Sequence, residues 1–516
     1  MPLPFPFTNF DGPSPVYLAN FLTGTLPSGV TVSSPSTGGL VTDSTGKLTY
    51  KPNNLLLNSA TLLTQSITTT VGVNYIISFY GTGTVTLSGA ATNVIVGTGA
   101  GNQVYAKITA TTTSLTLTVV GSVTSAVAAA VTYETAPRPG DQVITGASAY
   151  YGPAFDYSAT SVGTPIGLRI WESRTNLATY SSQFTNAVWL VYGTAVTASA
   201  ATGPDGTAGA ANFYDTASTR THVIVRIDID FSVAAYTWSV YVKPNGRRYI
   251  ALGAVQSDAG QLVVFDLQTG TAVGTINGAG GAGSSTVASY SIQAAANGFY
   301  RCIVSYNKAP TSAYPAVYLM NGTATANLTY AGDGASGVYL WGAQVEQVSF
   351  AGPYIPTGSA AVTAAADVVS FTDTALSTLQ GTVGSTIVDF TPATIASGST
   401  LIGDSASTKA RLLLSASSYL GTYNGTTELD TTSAPTVNTE TRGAVAWDAS
   451  GRSVVLGGGT VATDANAIGS IAGANLGSRT STPSNFESGW YKSTAIYNQR
   501  LANNVLKYKT NVGAPY

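Results

Sequence analysis

Between Lys51 and Glu134 the chain carries a single charged side chain, Lys107. The rest of that stretch is mostly Val, Ile, Leu, Thr, Ser, Gly, Asn and Tyr. Such a segment cannot keep a helix face soluble with charge. It can build sheets, where Thr on the outer face replaces Lys and Glu and suits strand geometry. The same bias runs through all 516 residues, of which 9% are charged and 44% hydrophobic. That apolar content is too high for a disordered chain.

Composition also narrows function. One His (His222) and one Cys (Cys302) leave few groups for chemistry near neutral pH. No enzymatic activity, cofactor or metal is therefore expected. A net charge of −2 without a long basic run argues against nucleic acid. No apolar run approaches the ~18 residues that span a bilayer, so no membrane insertion is expected. The opening Met1-Pro-Leu-Pro-Phe-Pro-Phe lacks the basic start and apolar stretch of a signal peptide. Synthesis in a cytoplasm and release by lysis are expected.

Strand signals dominate. Thr84-Val-Thr-Leu-Ser and Ser114-Leu-Thr-Leu-Thr-Val alternate with period two, placing Val85, Leu87, Leu115 and Leu117 on one face. Glycine pairs punctuate them as turns. The fold expected is all-β: tandem antiparallel β-sandwiches of jelly-roll type, with short helices only near the N- and C-termini. The helix candidates are Pro15 to Leu22 and a tail carrying Leu501, Val505, Leu506 and Tyr508. The expected units are an N-terminal anchoring segment (1–50), a first sandwich (51–135), a connector (136–166), a larger second sandwich (167–369) and a C-terminal jelly roll (370–516). Asn53-Asn-Leu-Leu-Leu-Asn-Ser opens the first sandwich and Thr175-Asn-Leu-Ala-Thr-Tyr-Ser-Ser the second, which suggests an internal repeat.

The second unit carries an ordered set of motifs. Arg174-Thr-Asn-Leu-Ala-Thr-Tyr-Ser-Ser is followed by Gly203-Pro-Asp-Gly-Thr-Ala, Tyr236-Thr-Trp-Ser-Val-Tyr-Val-Lys, Asn297-Gly-Phe-Tyr-Arg-Cys, Gly337-Val-Tyr-Leu-Trp-Gly-Ala-Gln-Val-Glu and Tyr354-Ile-Pro-Thr. Over about 200 residues this resembles a β-sandwich module of bacteriophage tail-fibre, head-fibre and minor tail proteins. The third unit is similar to laminin-G/concanavalin-like domains through Ser385 to Phe390 and Ala495-Ile-Tyr-Asn-Gln-Arg-Leu. The resemblance implies a virion fibre or spike protein of a tailed phage, assembled as a homotrimer. It would be anchored to tail or capsid proteins by its N-terminus and would attach to host surface polysaccharide through distal β-sandwich domains, with the C-terminal jelly roll pointing outward. The alternatives are a head fibre or capsid decoration protein, and a capsular polysaccharide depolymerase.

Candidate residues follow from this. Leu3, Phe5, Phe7 and Phe10, spaced by Pro and polar residues, are expected to anchor the chain on the virion. Tyr419, Tyr423, Trp490 and Tyr491 are the glycan-binding candidates, because an aromatic ring offers a flat apolar face and a polar edge. Asp228-Ile-Asp has a strand spacing of ~7 Å that would suit a pair of catalytic acids. With Ile227, Ile229 and Phe231 read as the buried face, both acids are expected in solvent. His222 is expected at the surface and Cys302 in the core. The jelly rolls that the third unit resembles often hold Ca²⁺. Asp404, Asp430, Asp448 and Asp464 are nevertheless read as turn residues.

Overall fold

The computed structural model describes residues 12–34, 36–231, 234–255, 260–278, 286–307, 312–479 and 485–516. The anchoring candidates Leu3, Phe5, Phe7 and Phe10 lie outside the described residues.

The chain is all-β, and its sheets pair into three sandwiches. In the first, a three-stranded sheet (Gly99–Thr109, Asn74–Gly81, Val123–Val131) faces a four-stranded one (Gln65–Thr68, Ser114–Val120, Thr84–Gly89, Asn93–Val96). The expected alternation holds: Val85, Leu87, Leu115 and Leu117 are buried while Thr86 and Thr118 are exposed. The second sandwich stacks two six-stranded sheets. Tyr236–Asn245 runs between Tyr300–Tyr306 and Gly337–Glu346 in one, and Trp238, Val240, Cys302 and Val304 point into the core.

The third sandwich departs from the expected boundaries. Its eight-stranded sheet takes in Phe155–Tyr157 and Pro165–Ile170, and Tyr17–Asn20 pairs with Gly489–Tyr497. Its seven-stranded sheet begins with Val30–Ser33, paired to Val368–Phe371. Residues 17–33 are therefore built into the C-terminal unit, while Leu40, Leu48 and Tyr50 pack into the core of the first sandwich. Pro15 to Leu22 is not a helix: Tyr17–Asn20 is a strand and Phe21–Thr23 a single 3₁₀ turn, with Asn20 accepting the Leu22 N–H. Pairing with Ser493 to Ile496 and burial of Ala19 and Phe21 outweigh the local helix signals. Of the two α-helices among the described residues, Asn503–Lys509 lies where the tail pattern placed it. Asp373–Gln380, which buries Ala375 and Leu379, lies well inside the chain and was not expected.

The two openings flagged as a repeat are the same device. Asn54 is fully buried; its Nδ2 donates to the carbonyls of Ala126 (3.0 Å) and Val143 (2.9 Å). Its Oδ1 accepts from the N–H of Leu56 (3.2 Å) and Ala128 (3.1 Å). Asn176 does the same in the second sandwich: it donates to Ala343 (3.0 Å) and Ile355 (2.8 Å) and accepts from Ala178 (3.0 Å) and Val345 (3.1 Å). Five residues on, Ser59 Oγ and Ser181 Oγ accept the N–H of Thr145 (2.9 Å) and Thr357 (3.0 Å). Those threonine hydroxyls return to the carbonyls of Leu56 and Ala178. Asn58 and Tyr180, both in the left-handed region, donate from N–H to Gly146 and Gly358. Each clasp ties the opening of a sandwich to its last strand and to the segment that leaves it.

A buried charge pair joins the units. Lys51 Nζ reaches Asp367 (3.2 Å) and Ser34 Oγ (2.8 Å), and Asp367 also accepts the N–H of Trp171. Burial lowers the Lys51 pKa although Asp367 opposes the shift.

Two stability predictions follow. Asn54→Ala and Asn176→Ala each strand buried backbone groups, at a cost of about 3 kcal/mol or more. Asn→Asp should be as damaging, since a carboxylate cannot donate to two carbonyls. Hydrogen-exchange mass spectrometry should find lost protection confined to the sandwich that holds the mutated clasp. The second concerns Glu487, buried in the third sandwich with one oxygen bonded to the Ser399 hydroxyl and Oε1 unpaired. Burial pushes its carboxyl up to about 8. The folded state then holds a proton that the unfolded state releases near pH 4.5. Stability should fall as pH rises between those values, by at most about 1.4 kcal/mol per pH unit. Glu487→Gln should remove that slope from melting curves taken between pH 5 and 8.

Candidate functional site

A cleft of about 300 Å³ lies between the first and second sandwiches. The first contributes Tyr50, Thr132 and the turn Val71 to Asn74. The second contributes Ser182 to Thr185, Ser199, Asp205, Thr207, Trp341 and Tyr354. Its position follows from the clasps. Ser181 Oγ, held against Thr357, also bonds the Tyr354 hydroxyl (2.7 Å), so the clasp that closes the second sandwich fixes one wall of the cleft.

Trp341 and Tyr354 form the floor, with Tyr241 packed against them. Trp341 and Tyr354 have ring centroids 4.7 Å apart, and Tyr241 meets both edge-on at 5.3 and 5.9 Å. Trp341 and Tyr354 are both buried, so the cleft meets their edges rather than open faces. The run Gly203-Pro-Asp-Gly-Thr closes as a turn over Trp341: Gly203 N–H donates to Thr207 O and Asn297 Nδ2 donates to Gly203 O (2.7 Å). A Cβ on Gly203 would stand 2.8 Å from Trp341 Cδ1, so only glycine lets the turn lie this close. Asp205 is held by the Thr207 N–H (3.0 Å) and hydroxyl (2.7 Å). Burial raises its pKa against those bonds. Gln183, Asn74, Ser199 and Thr207 are only partly buried or exposed and ring the cleft with amides and hydroxyls.

The residues singled out from the sequence do not converge on this cleft. Tyr419 (38% exposed) and Tyr423 (half-buried) flank a hairpin strand in the seven-stranded sheet of the third sandwich. Trp490 and Tyr491 lie in the opposite sheet. Tyr491 is fully buried with its hydroxyl donating to Glu487 O, so it presents no face to a glycan; the strand alternation beside Trp490 turns it inward. Trp490 is half-buried and lines a second, smaller chamber, where its indole donates to Asp156 (2.7 Å).

Other readings change too. Asp228 and Asp230 follow a strand that ends at Val225, and Ile227 is exposed rather than buried. Asp228 pairs with Arg226 (2.7 Å), while Asp230 accepts the Ser312 hydroxyl. His222 is not at the surface: it is fully buried between the carbonyls of Gly193 and Tyr330. Cys302 is buried in the core, where desolvation raises its thiol pKa. Asp404 and Asp448 hold turns, and Asp448 and Asp464 pair with Arg500 and Arg452. The role of Asp205 and Gln183 escaped sequence reading. The Gly203 turn was visible as a motif, but its seat over Trp341 depends on a contact between distant segments.

No family model matches this sequence, and no curated protein does. Among solved structures, the CBM40 of Ruminococcus gnavus IT-sialidase bound to α2,3-sialyllactose matches 25% of this chain and 83% of its own, at 16% identity and a TM-score of 0.22. Trypanosoma rangeli sialidase with 2,3-difluorosialic acid matches over 62% of each chain, at 11% identity and a TM-score of 0.23. Its complex with sialic acid matches over 62% of this chain and 61% of its own, at 11% identity and a TM-score of 0.22. The chain thus spans less than two thirds of the sialidases it matches. The expectation of a protein without enzymatic activity is corrected on this finding, since these neighbours are sialidases. At such TM-scores the likeness carries no argument about which activity or ligand this chain has.

The floor of the cleft makes a paired prediction. Gly203→Ala should destabilise the second sandwich by about 1–3 kcal/mol through overpacking on Trp341. Gly101→Ala, whose Cβ would meet nothing within 4 Å, should be near neutral. Parallel thermal melts compare the two.

Proposed function

We propose that this chain is a fibre or spike protein of a tailed-phage virion, and that it attaches to a host-surface glycan through the cleft between its first two sandwiches. The observation that carries the reading is the cleft itself: aromatic edges at the floor, amide and hydroxyl groups at the rim, and one buried carboxylate held by Thr207. Sugars present this combination in reverse, with apolar C–H patches bordered by hydroxyls that donate and accept. A single such site is weak, and several copies on one particle would bind by avidity. A cyclic homotrimer supplies those copies.

The fold bears on which end meets the host. Strands Tyr17–Asn20 and Val30–Ser33 belong to the third sandwich, so an anchor formed by the residues before them leaves the chain beside that unit. In this reading the third sandwich sits on the virion side, and the receptor site belongs to the first two.

The reading is tested by adsorption of purified protein to host cells. Asp205→Ala and Gln183→Ala should each reduce binding by about three- to tenfold, the equivalent of losing one hydrogen bond. Binding undiminished in both folded variants would overturn the cleft as the attachment site. Light scattering of the purified protein should return the mass of three chains.

A further inference from the structure

A second chamber of about 120 Å³ lies where the second and third sandwiches meet, beyond the partition made by Leu40 and Tyr354. Two cross-strand rows build it. In the second sandwich Arg301 stands between Tyr241 and Gln293 across adjacent ladders. In the third, Arg169 stands opposite Trp490. Trp171 meets Trp490 edge-on, with ring centroids 5.4 Å apart.

The charges inside are unequally satisfied. Asp156, the one carboxylate of the lining, accepts from the Thr42 N–H (2.7 Å) and the Trp490 indole (2.7 Å), with Arg169 at 3.6 Å. Arg301 donates to neutral oxygens, Ser239 Oγ and Gly352 O (2.7 Å). Glu346 acts on Arg301 through space but gives both its oxygens to the Gly352 N–H. Arg169 donates from its two terminal nitrogens to Leu40 O and Gly39 O, which leaves its Nε without a partner. Trp171 Nε1 has no partner either. Arg169 and Trp171 are 4% and 5% exposed, so these are buried donors on the wall of a cavity. Buried N–H groups in that state favour an acceptor, above all a charged one.

We infer that this chamber binds the carboxylate of an acidic sugar. The carboxylate would sit between Arg169 and Arg301 and take the indole N–H of Trp171, with the sugar ring against Trp490 and the exposed Gln293 at the mouth. The volume suits one carboxylated residue or side group, not an oligosaccharide. Trp490, singled out from the sequence as a glycan-binding candidate, thereby belongs to a site different from the one first expected. The inference stands apart from the larger cleft, since either site can bind when the other does not.

The test uses the full chain labelled with 5-fluorotryptophan and followed by ¹⁹F NMR. Sodium glucuronate is titrated against glucose at matched ionic strength. The resonances of Trp171 and Trp490, assigned from Trp171→Phe and Trp490→Phe, should move with glucuronate while that of Trp341 stays. Glucose should bind at least about tenfold more weakly, as expected for one lost charge-assisted interaction. Arg301→Gln, with the other indole resonances unchanged to show that it folds, should lose the preference. Equal response to glucose, no response to glucuronate, or full preference retained in the folded Arg301→Gln variant would each overturn the inference. Weaker glucuronate binding in Gln293→Ala, which alters only an exposed side chain at the mouth, would support the chamber as the site even if Arg301→Gln fails to fold, and unchanged binding there would count against it.

Discussion

The buried asparagine clasp is the interaction on which the first two sandwiches depend. An opening strand of only two or three residues has little to hold it in register except shape and backbone pairing. Asn54 and Asn176 each satisfy two carbonyls and two N–H groups that strands alone leave facing inward. Because all four valences are used, the amide also fixes where the last strand and the departing segment lie. The cleft inherits its geometry from that: Tyr354 and Pro356 are placed by Asn176 and Ser181, and the turn over Trp341 follows.

Few charges does not mean few ionic interactions. The chain spends its charged side chains on internal ties. Arg226, Arg411 and Arg452 are among the largest fully buried side chains. Arg411 donates to the carbonyls of Leu379 and Gly469 and lies 4.6 Å from the centroid of the Trp447 ring. Burial lowers its pKa to about 10. Lys51 and Asp367 bind the start of the first sandwich to the strand that opens the third unit. Breaking such a pair leaves a lone buried charge, a far larger loss than any surface bridge. The outer surface is correspondingly rich in Thr, Ser and Gly hydroxyl and backbone groups.

Much of the fold was legible because period-two alternation is a local signal; the strands around Val85, Leu117 and Trp238 could be read directly. The repeat was legible from Asn54 and Asn176, though not its mechanism, since the partners at Ala126 and Ala343 are remote in sequence. The role of residues 17–33 was not legible. Their pairing with Ser493 to Ile496 and Val368 to Phe371 spans more than three hundred residues, and the local cues of Pro15 pointed to a helix. The site was least legible of all. Aromatic residues announce themselves in a sequence, but whether a ring is a floor, a wall or core depends on the glycine and aspartate that come to lie over it.

The most direct measurement is a structure of the protein with an oligosaccharide from the host surface polymer. The account predicts ordered sugar in the cleft between the first two sandwiches, in contact with Gln183 and Thr207 and above the Trp341 edge. Sugar ordered instead on the third sandwich at Tyr419 and Tyr423, with that cleft unoccupied, would contradict it.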